Sequence, residues 1–93
     1  MAQYSEKWNK TIQAYKTYIR LEKNLADNTV EAYIRDIMLF ENFVLRMYDV
    51  PPTKVEQYMV ERFLVHLFEK EHKKSSQARE LSGIKSFFNY LLL

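Results

Sequence analysis

Residues that break helices are almost missing from this chain. Glycine occurs once, at Gly83, and the two prolines are adjacent, at Pro51 and Pro52. Proline and glycine are the strongest interruptions of a helix, so the one break the sequence enforces lies near its middle. Apolar residues make up 47% of the 93 positions and recur at helical rather than alternating spacing, which points to an all-α fold in one small domain. Cysteine is absent, so neither disulfides nor thiolate metal sites hold the fold, and stability has to come from an apolar core.

The apolar periodicity predicts four amphipathic helices. The first runs from about Ser5, a suitable cap, to Glu22, with Trp8, Ile12, Tyr15 and Ile19 on one face. The second starts at Asn28, three residues before Glu31 as in a capping box, and buries Val30, Tyr33, Ile34, Ile37, Phe40, Val44 and Met47. Asp49 to Thr53 reads as a turn, since proline disfavours helix in the residue before it. A third helix lies within Thr53–Glu71, begun either by a Thr53 cap or after a short turn, with Val60, Phe63, Leu64, Leu67 and Phe68 inward. After a His72-Lys73-Lys74 connection, a fourth runs from about Ser75 to the end, with Ala78, Leu81, Ile84, Phe88 and Leu91 inward. Most of the seven Tyr and six Phe sit at core spacing, which favours core packing over base stacking.

Several functions are excluded early. His66 and His72 are six residues apart and point to different sides of a helix, so they make no metal pair, and His66 reads as a boundary residue of the third helix. Glu69 and Glu71 fall on different faces, a Gly-rich phosphate loop is impossible with one glycine, and no hydroxyl is paired with a base. The reading is therefore of no catalytic residue, no metal and no cofactor. Neither a membrane span nor a signal peptide is present, and a cytoplasmic protein is expected. The apolar end Asn89-Tyr90-Leu91-Leu92-Leu93 leads to the expectation that the gene continues and that this is a cut-out domain.

Net charge is only +2, and Lys plus Arg exceed Asp plus Glu by seven to six in both 1–48 and 49–93. Any nucleic-acid surface must then come from how charges sort onto faces. Two faces stand out. On the fourth helix Ser75, Arg79, Ser82, Ser86 and Asn89 form a polar stripe flanked by Lys85 and preceded by Lys73 and Lys74. Small residues at Ser82, Gly83 and Ser86 would let a sugar-phosphate strand approach, with Arg79 and Lys85 reaching phosphates or base edges. They would equally let another helix pack, with the charges simply solvated. On the second helix Asn28, Thr29, Ala32, Arg35 and Asp36 face away from most apolar positions, and Lys23 precedes them. Asn28 is explained by capping, Thr29 and Arg35 are not, and Asp36 suits the orientation of Arg35 or a neighbouring cation.

The stretch LEKNLADNTVEAYIRDI at Leu21–Ile37, followed by Phe40 and Phe43, resembles the N-terminal core-binding domain of tyrosine recombinases, the phage-integrase and Xer-like family. SSQARELSGIKSFFNYL at Ser75–Leu91 resembles that domain's last helix, and order, separation and the Phe63-Leu64 helix agree from about Trp8 onward. The resemblance implies a compact orthogonal, SAM-like bundle of four helices that clamps double-stranded DNA from the side opposite a catalytic domain. Helices two and four would face the major groove, through Asn28, Thr29 and Arg35 and through Ser75, Ser76, Gln77, Arg79, Ser82 and Lys85, with Lys23 and Lys74 as adjoining cations. It also implies protomer–protomer contacts in the full-length recombinase on DNA. The family's catalytic Arg, His and nucleophilic Tyr belong to a C-terminal domain, so none of the seven tyrosines here is expected to be a nucleophile, and the covalent phosphotyrosine would form elsewhere. Arg79→Ala and Lys85→Ala are then expected to weaken duplex binding without unfolding the bundle. The competing reading is a helical protein–protein module whose Gly83 face receives a partner helix.

Overall fold

A computed structural model describes residues 4–70 and 74–91, with the side chains of 74–77 outside the description. Helix α1 spans Ser5–Leu21, α2 Asp27–Met47, α3 Gln57–Glu69 and α4 Lys74–Leu91, and a 3-10 turn at Pro52–Lys54 leads into α3. The described residues contain no strand, and the architecture is an all-α bundle. Helix α2 is the hub, packing chiefly on α4 and α1 and also on α3.

Aromatic rings hold the centre. Trp8, Tyr15, Phe40, Phe63 and Phe87 are fully or nearly fully buried. Trp8 stacks on Phe87 with centroids 6.1 Å apart and meets Phe40 edge-on at 6.2 Å, which joins α1, α4 and α2 in one cluster. Phe40 passes the contact to Phe63 of α3 at 5.3 Å. Such edge-on and stacked pairs add to the burial of large apolar area, the main stabilising term here. The indole N–H of Trp8 donates to the Val50 carbonyl at 2.9 Å, which ties the segment before Pro51 to α1. His66 stacks beside Phe43 and Phe63 at the core boundary, as its sequence position suggested.

Helix ends differ from expectation. Tyr4, not Ser5, is the N-cap of α1, and Ala26, not Asn28, is that of α2. Neither cap makes a side-chain hydrogen bond, and Asn28 is an exposed first-turn residue. The helix begins earlier because the connection after α1 is tight: Asn24 adopts φ 51° and the Leu25 amide reaches back to the Ile19 carbonyl at 3.3 Å. Asn tolerates this left-handed conformation better than most residues. Asp49 does the same after α2, its amide 3.0 Å from the Val44 carbonyl.

The core assignments need correction at several positions. Met47 and Phe68 are exposed by 56% and 70%, and Ala78 is exposed, because each lies at the edge of its helix's apolar stripe. Ala32 and Asp36, expected on the polar side of α2, are buried, since α4 lies across them. On α4 the inward line runs through Glu80, Ile84 and Phe87, leaving Leu81, Phe88 and Leu91 half-buried. The helix is rotated from the Leu81–Ile84–Phe88 face, and a buried carboxylate on that line hides the rotation from a hydropathy pattern. Met59 of α3 is also buried. No helix among the described residues is long and apolar enough to cross a membrane.

Candidate nucleic-acid interface

The polar stripe of α4 divides into two lines with different duties. Arg79, Gly83, Ser86 and Tyr90 turn toward α1 and α2. The Arg79 guanidinium makes a bidentate bridge to Asp36 of α2, Nε to Oδ2 at 3.0 Å and Nη2 to Oδ1 at 3.1 Å. The Asp36 side chain is 3% exposed and that of Arg79 44% exposed, so the pair spans the boundary of the molecule. The bond to the carboxylate raises the Arg79 pKa above its ordinary value, which keeps the guanidinium charged. Of the two cations that Asp36 could orient, Arg35 or a neighbour, the structure shows the neighbour, Arg79.

Ser86 accepts a hydrogen bond from the buried Tyr15 hydroxyl at 2.9 Å. Burial pushes the Tyr15 phenol above its ordinary value of 10.0, and the bond to Ser86 offsets part of that rise. Gly83 is buried against Tyr33 of α2, whose ring atoms lie 3.6 Å from where a Cβ would stand. The face opened by this glycine is therefore filled by the chain's own second helix. That removes the Gly83 face as the seat of a partner helix.

Ser82, Lys85 and Asn89 form the outward line. With Lys23 from the α1–α2 connection, Ser86, and the Tyr18 and Tyr90 rings, they line an open depression of about 380 Å³. The two rings pack 5.0 Å apart. The lining carries two ammonium groups, hydroxyls and an amide, and no carboxylate. Such a surface suits a phosphodiester, which asks for cations and neutral donors without competing anions.

Of the residues expected to touch DNA, the structure brings Lys23, Ser82 and Lys85 to this depression. Arg79 lies on the same helix but is held by Asp36. Asn28 and Arg35 are exposed and Thr29 is half-buried on α2, and none of the three lines the depression. Asn28 and Arg35, seven residues apart, share one side of α2 about two turns apart. The side chains of Lys74, Ser75, Ser76 and Gln77 lie outside the described residues, as does Lys73. Asn89, Tyr18 and Tyr90 were not singled out as contacts. The four-residue step from Lys85 to Asn89 signals the first, while the tyrosines are masked by core spacing.

Other features bear on function. Asp27 in the first turn of α2 pairs with Arg20 at 3.6 Å, which places a carboxylate at that helix start. Helix α3 exposes Val65 and Phe68 beside half-buried Leu64. Among the described residues, no group of three or more His, Cys, Asp or Glu is placed to hold a metal ion.

Residues 12–93 match the family described as the phage integrase N-terminal SAM-like domain. The chain is 32% identical over 92 residues to a tyrosine recombinase XerD of Chlorobaculum tepidum, covering 99% of this chain and 30% of the relative. It is 30% identical to a tyrosine recombinase XerC of Leptospira interrogans, covering 95% and 28% respectively. A XerC of Pelobacter propionicus is 36% identical over 83 residues, which cover 87% of this chain and 27% of that protein. The chain thus spans less than a third of the length of these relatives. No solved structure matches it significantly.

Proposed function

We propose that this chain, which belongs to the phage-integrase N-terminal SAM-like domain family, is the DNA-binding module of a site-specific tyrosine recombinase or integrase. It grips double-stranded DNA with helices α2 and α4 and works in the cytoplasm. Strand cleavage and rejoining belong to a catalytic domain outside these 93 residues, so the chain itself is not an enzyme. On DNA, protomers of the whole recombinase touch one another.

The observation that carries this reading is the convergence of Lys23, Ser82, Lys85 and Asn89 on one carboxylate-free depression. Two cations from separate elements can straddle a phosphodiester while Ser82 and Asn89 donate to its oxygens. Exposed Asn28 and Arg35 supply a second point of attachment along α2. The weak net charge of +2 means that affinity rests on a few placed contacts rather than on a broad basic field.

The test is duplex binding at low salt by fluorescence anisotropy. Lys23→Ala and Lys85→Ala should each weaken binding and lower the slope of log K against log salt by about 0.9. Lys10→Ala, which removes an exposed cation paired with Glu6 on α1, should leave binding unchanged and serves as control. Equal affinity for parent, Lys23→Ala and Lys85→Ala would sink the reading.

The exposed Val65 and Phe68 on α3 favour a second reading, a protein-interaction module that does not bind nucleic acid. It predicts self-association that salt hardly alters. Sedimentation at several protein and salt concentrations tests this, and a strict monomer counts against self-association.

A further inference from the structure

We propose that Asp36 is a positioning residue for duplex recognition: its buried carboxylate holds the Arg79 guanidinium so that the edge it does not engage meets a DNA phosphate. This inference rests on the DNA-binding reading above and assigns a role within it.

The geometry is that of a fork held from behind. Asp36 takes the Nε–H and one Nη2–H of Arg79, at 3.0 and 3.1 Å. The Nη1 hydrogens and the outer Nη2 hydrogen are not engaged by that carboxylate. The exposure is one-sided, since Asp36 is 3% and Arg79 44% exposed. The anion sits under the helix–helix contact and the cation reaches the surface of α4. Ser82, three residues on, and Lys85, six residues on, are exposed on the same helix.

An unrestrained arginine loses many rotamers when it grips a phosphate, and a bidentate anchor removes much of that loss beforehand. Because Asp36 belongs to α2 and Arg79 to α4, the anchor also sets the register between the two helices assigned to DNA.

Charge alone makes the opposite forecast, which gives the test its sign. Asp36→Asn raises the net charge of the chain from +2 to +3. Simple electrostatics then demands tighter binding to DNA, whereas loss of the anchor demands weaker binding. The experiment compares the 93-residue parent with Asp36→Asn, Arg79→Lys and Lys85→Ala on a generic duplex across a salt series. Circular dichroism below the unfolding transition establishes that each variant is folded.

The expected result is that Asp36→Asn binds roughly three- to tenfold more weakly despite its extra positive charge. Arg79→Lys keeps the charge and can still face Asp36, but it has no fork. It should weaken binding by a similar factor of roughly three to ten while leaving the salt slope nearly unchanged. In the parent, NMR should show the Arg79 Nε–H exchanging slowly with water and shifting as duplex is added.

Parent-like or tighter binding by Asp36→Asn overturns the proposal, and so does parent-like binding by Arg79→Lys. If Asp36→Asn fails to fold, Arg79→Lys decides by that criterion. Weaker binding by Lys85→Ala together with unchanged binding by the other two leaves the DNA reading standing and removes the role of Asp36. A parent that does not bind duplex at any salt overturns both.

Discussion

Tyr15 combines full burial with a hydroxyl that needs a partner, and Ser86 supplies it across the α1–α4 contact. Tyr15→Phe should lower stability at neutral pH by about 1 kcal/mol, the usual loss for one hydrogen bond. The folded-state pKa of Tyr15 is raised, so its contribution is intact below the ordinary value of 10.0 and is lost as pH rises through the folded value. Urea unfolding of parent and variant from pH 8 upward should therefore show the difference between them shrinking in alkali. A constant difference would contradict this. Gly83 makes a different forecast. A Cβ there would sit 3.6 Å from the Tyr33 ring, an ordinary contact, so Gly83→Ala should fit and stabilise the helix by about 1 kcal/mol. Gly83→Leu should overpack the same contact and destabilise. Thermal melts of the two variants check both signs. Arg79→Ala, attractive from sequence as a probe of DNA contact, would also strand the buried Asp36 carboxylate, and loss of binding in that variant would not distinguish contact from misfolding.

At the level of elements, α2 lacks a side-chain cap although Ala26 already has the extended backbone of an N-cap residue, φ −64° and ψ 151°. Ala26→Ser should raise stability by about 1 kcal/mol by giving a first-turn amide an acceptor. Asn28→Ala, which would be costly if Asn28 were the cap, should change stability by less than about 0.5 kcal/mol. Chemical denaturation of the pair tests where the helix begins. In α4 the neighbours Phe87 and Phe88 have exchanged the roles expected of them. Phe87 fills the centre against Trp8 and Tyr15, while Phe88 is half-buried in the groove toward α3. Phe87→Ala should cost about 3–5 kcal/mol, the range for a buried ring, and Phe88→Ala distinctly less. The same rotation turns Arg79 toward Asp36 of α2 and Ser86 toward Tyr15 of α1, and leaves Ser82, Lys85 and Asn89 for an outside ligand.

For the whole molecule, a net charge of +2 with Lys23 and Lys85 at the depression, and with Arg79 and Arg35 exposed elsewhere on α4 and α2, predicts modest salt dependence. Four phosphate contacts would give a slope of log K against log salt near −3.6, about −0.9 for each. A slope much steeper than this would mean that cations other than these four engage the duplex. The family resemblance and the helix count were both legible in the sequence, because two long periodic segments and a near absence of Gly and Pro leave few alternatives. The candidate site was legible in part. Lys23, Ser82 and Lys85 converge, yet Asn28 is not the cap its spacing suggests, and the neighbouring cation that Asp36 orients, Arg79, lies 43 positions away, beyond the reach of local spacing.

The sequence by itself determined that the chain is helical, where its breaks fall, most of its core, and that its polar residues line up along the second and fourth helices. Those properties follow from local periodicity and backbone preference, which act over a few residues. Tertiary structure decided which polar residues look outward. Asp36 and Arg79 are 43 positions apart, and Tyr15 and Ser86 are 71 apart. Whether a serine or an arginine serves the interior or a ligand depends on which distant helix lies across it, and pairing at that range is set by packing rather than by spacing along the chain.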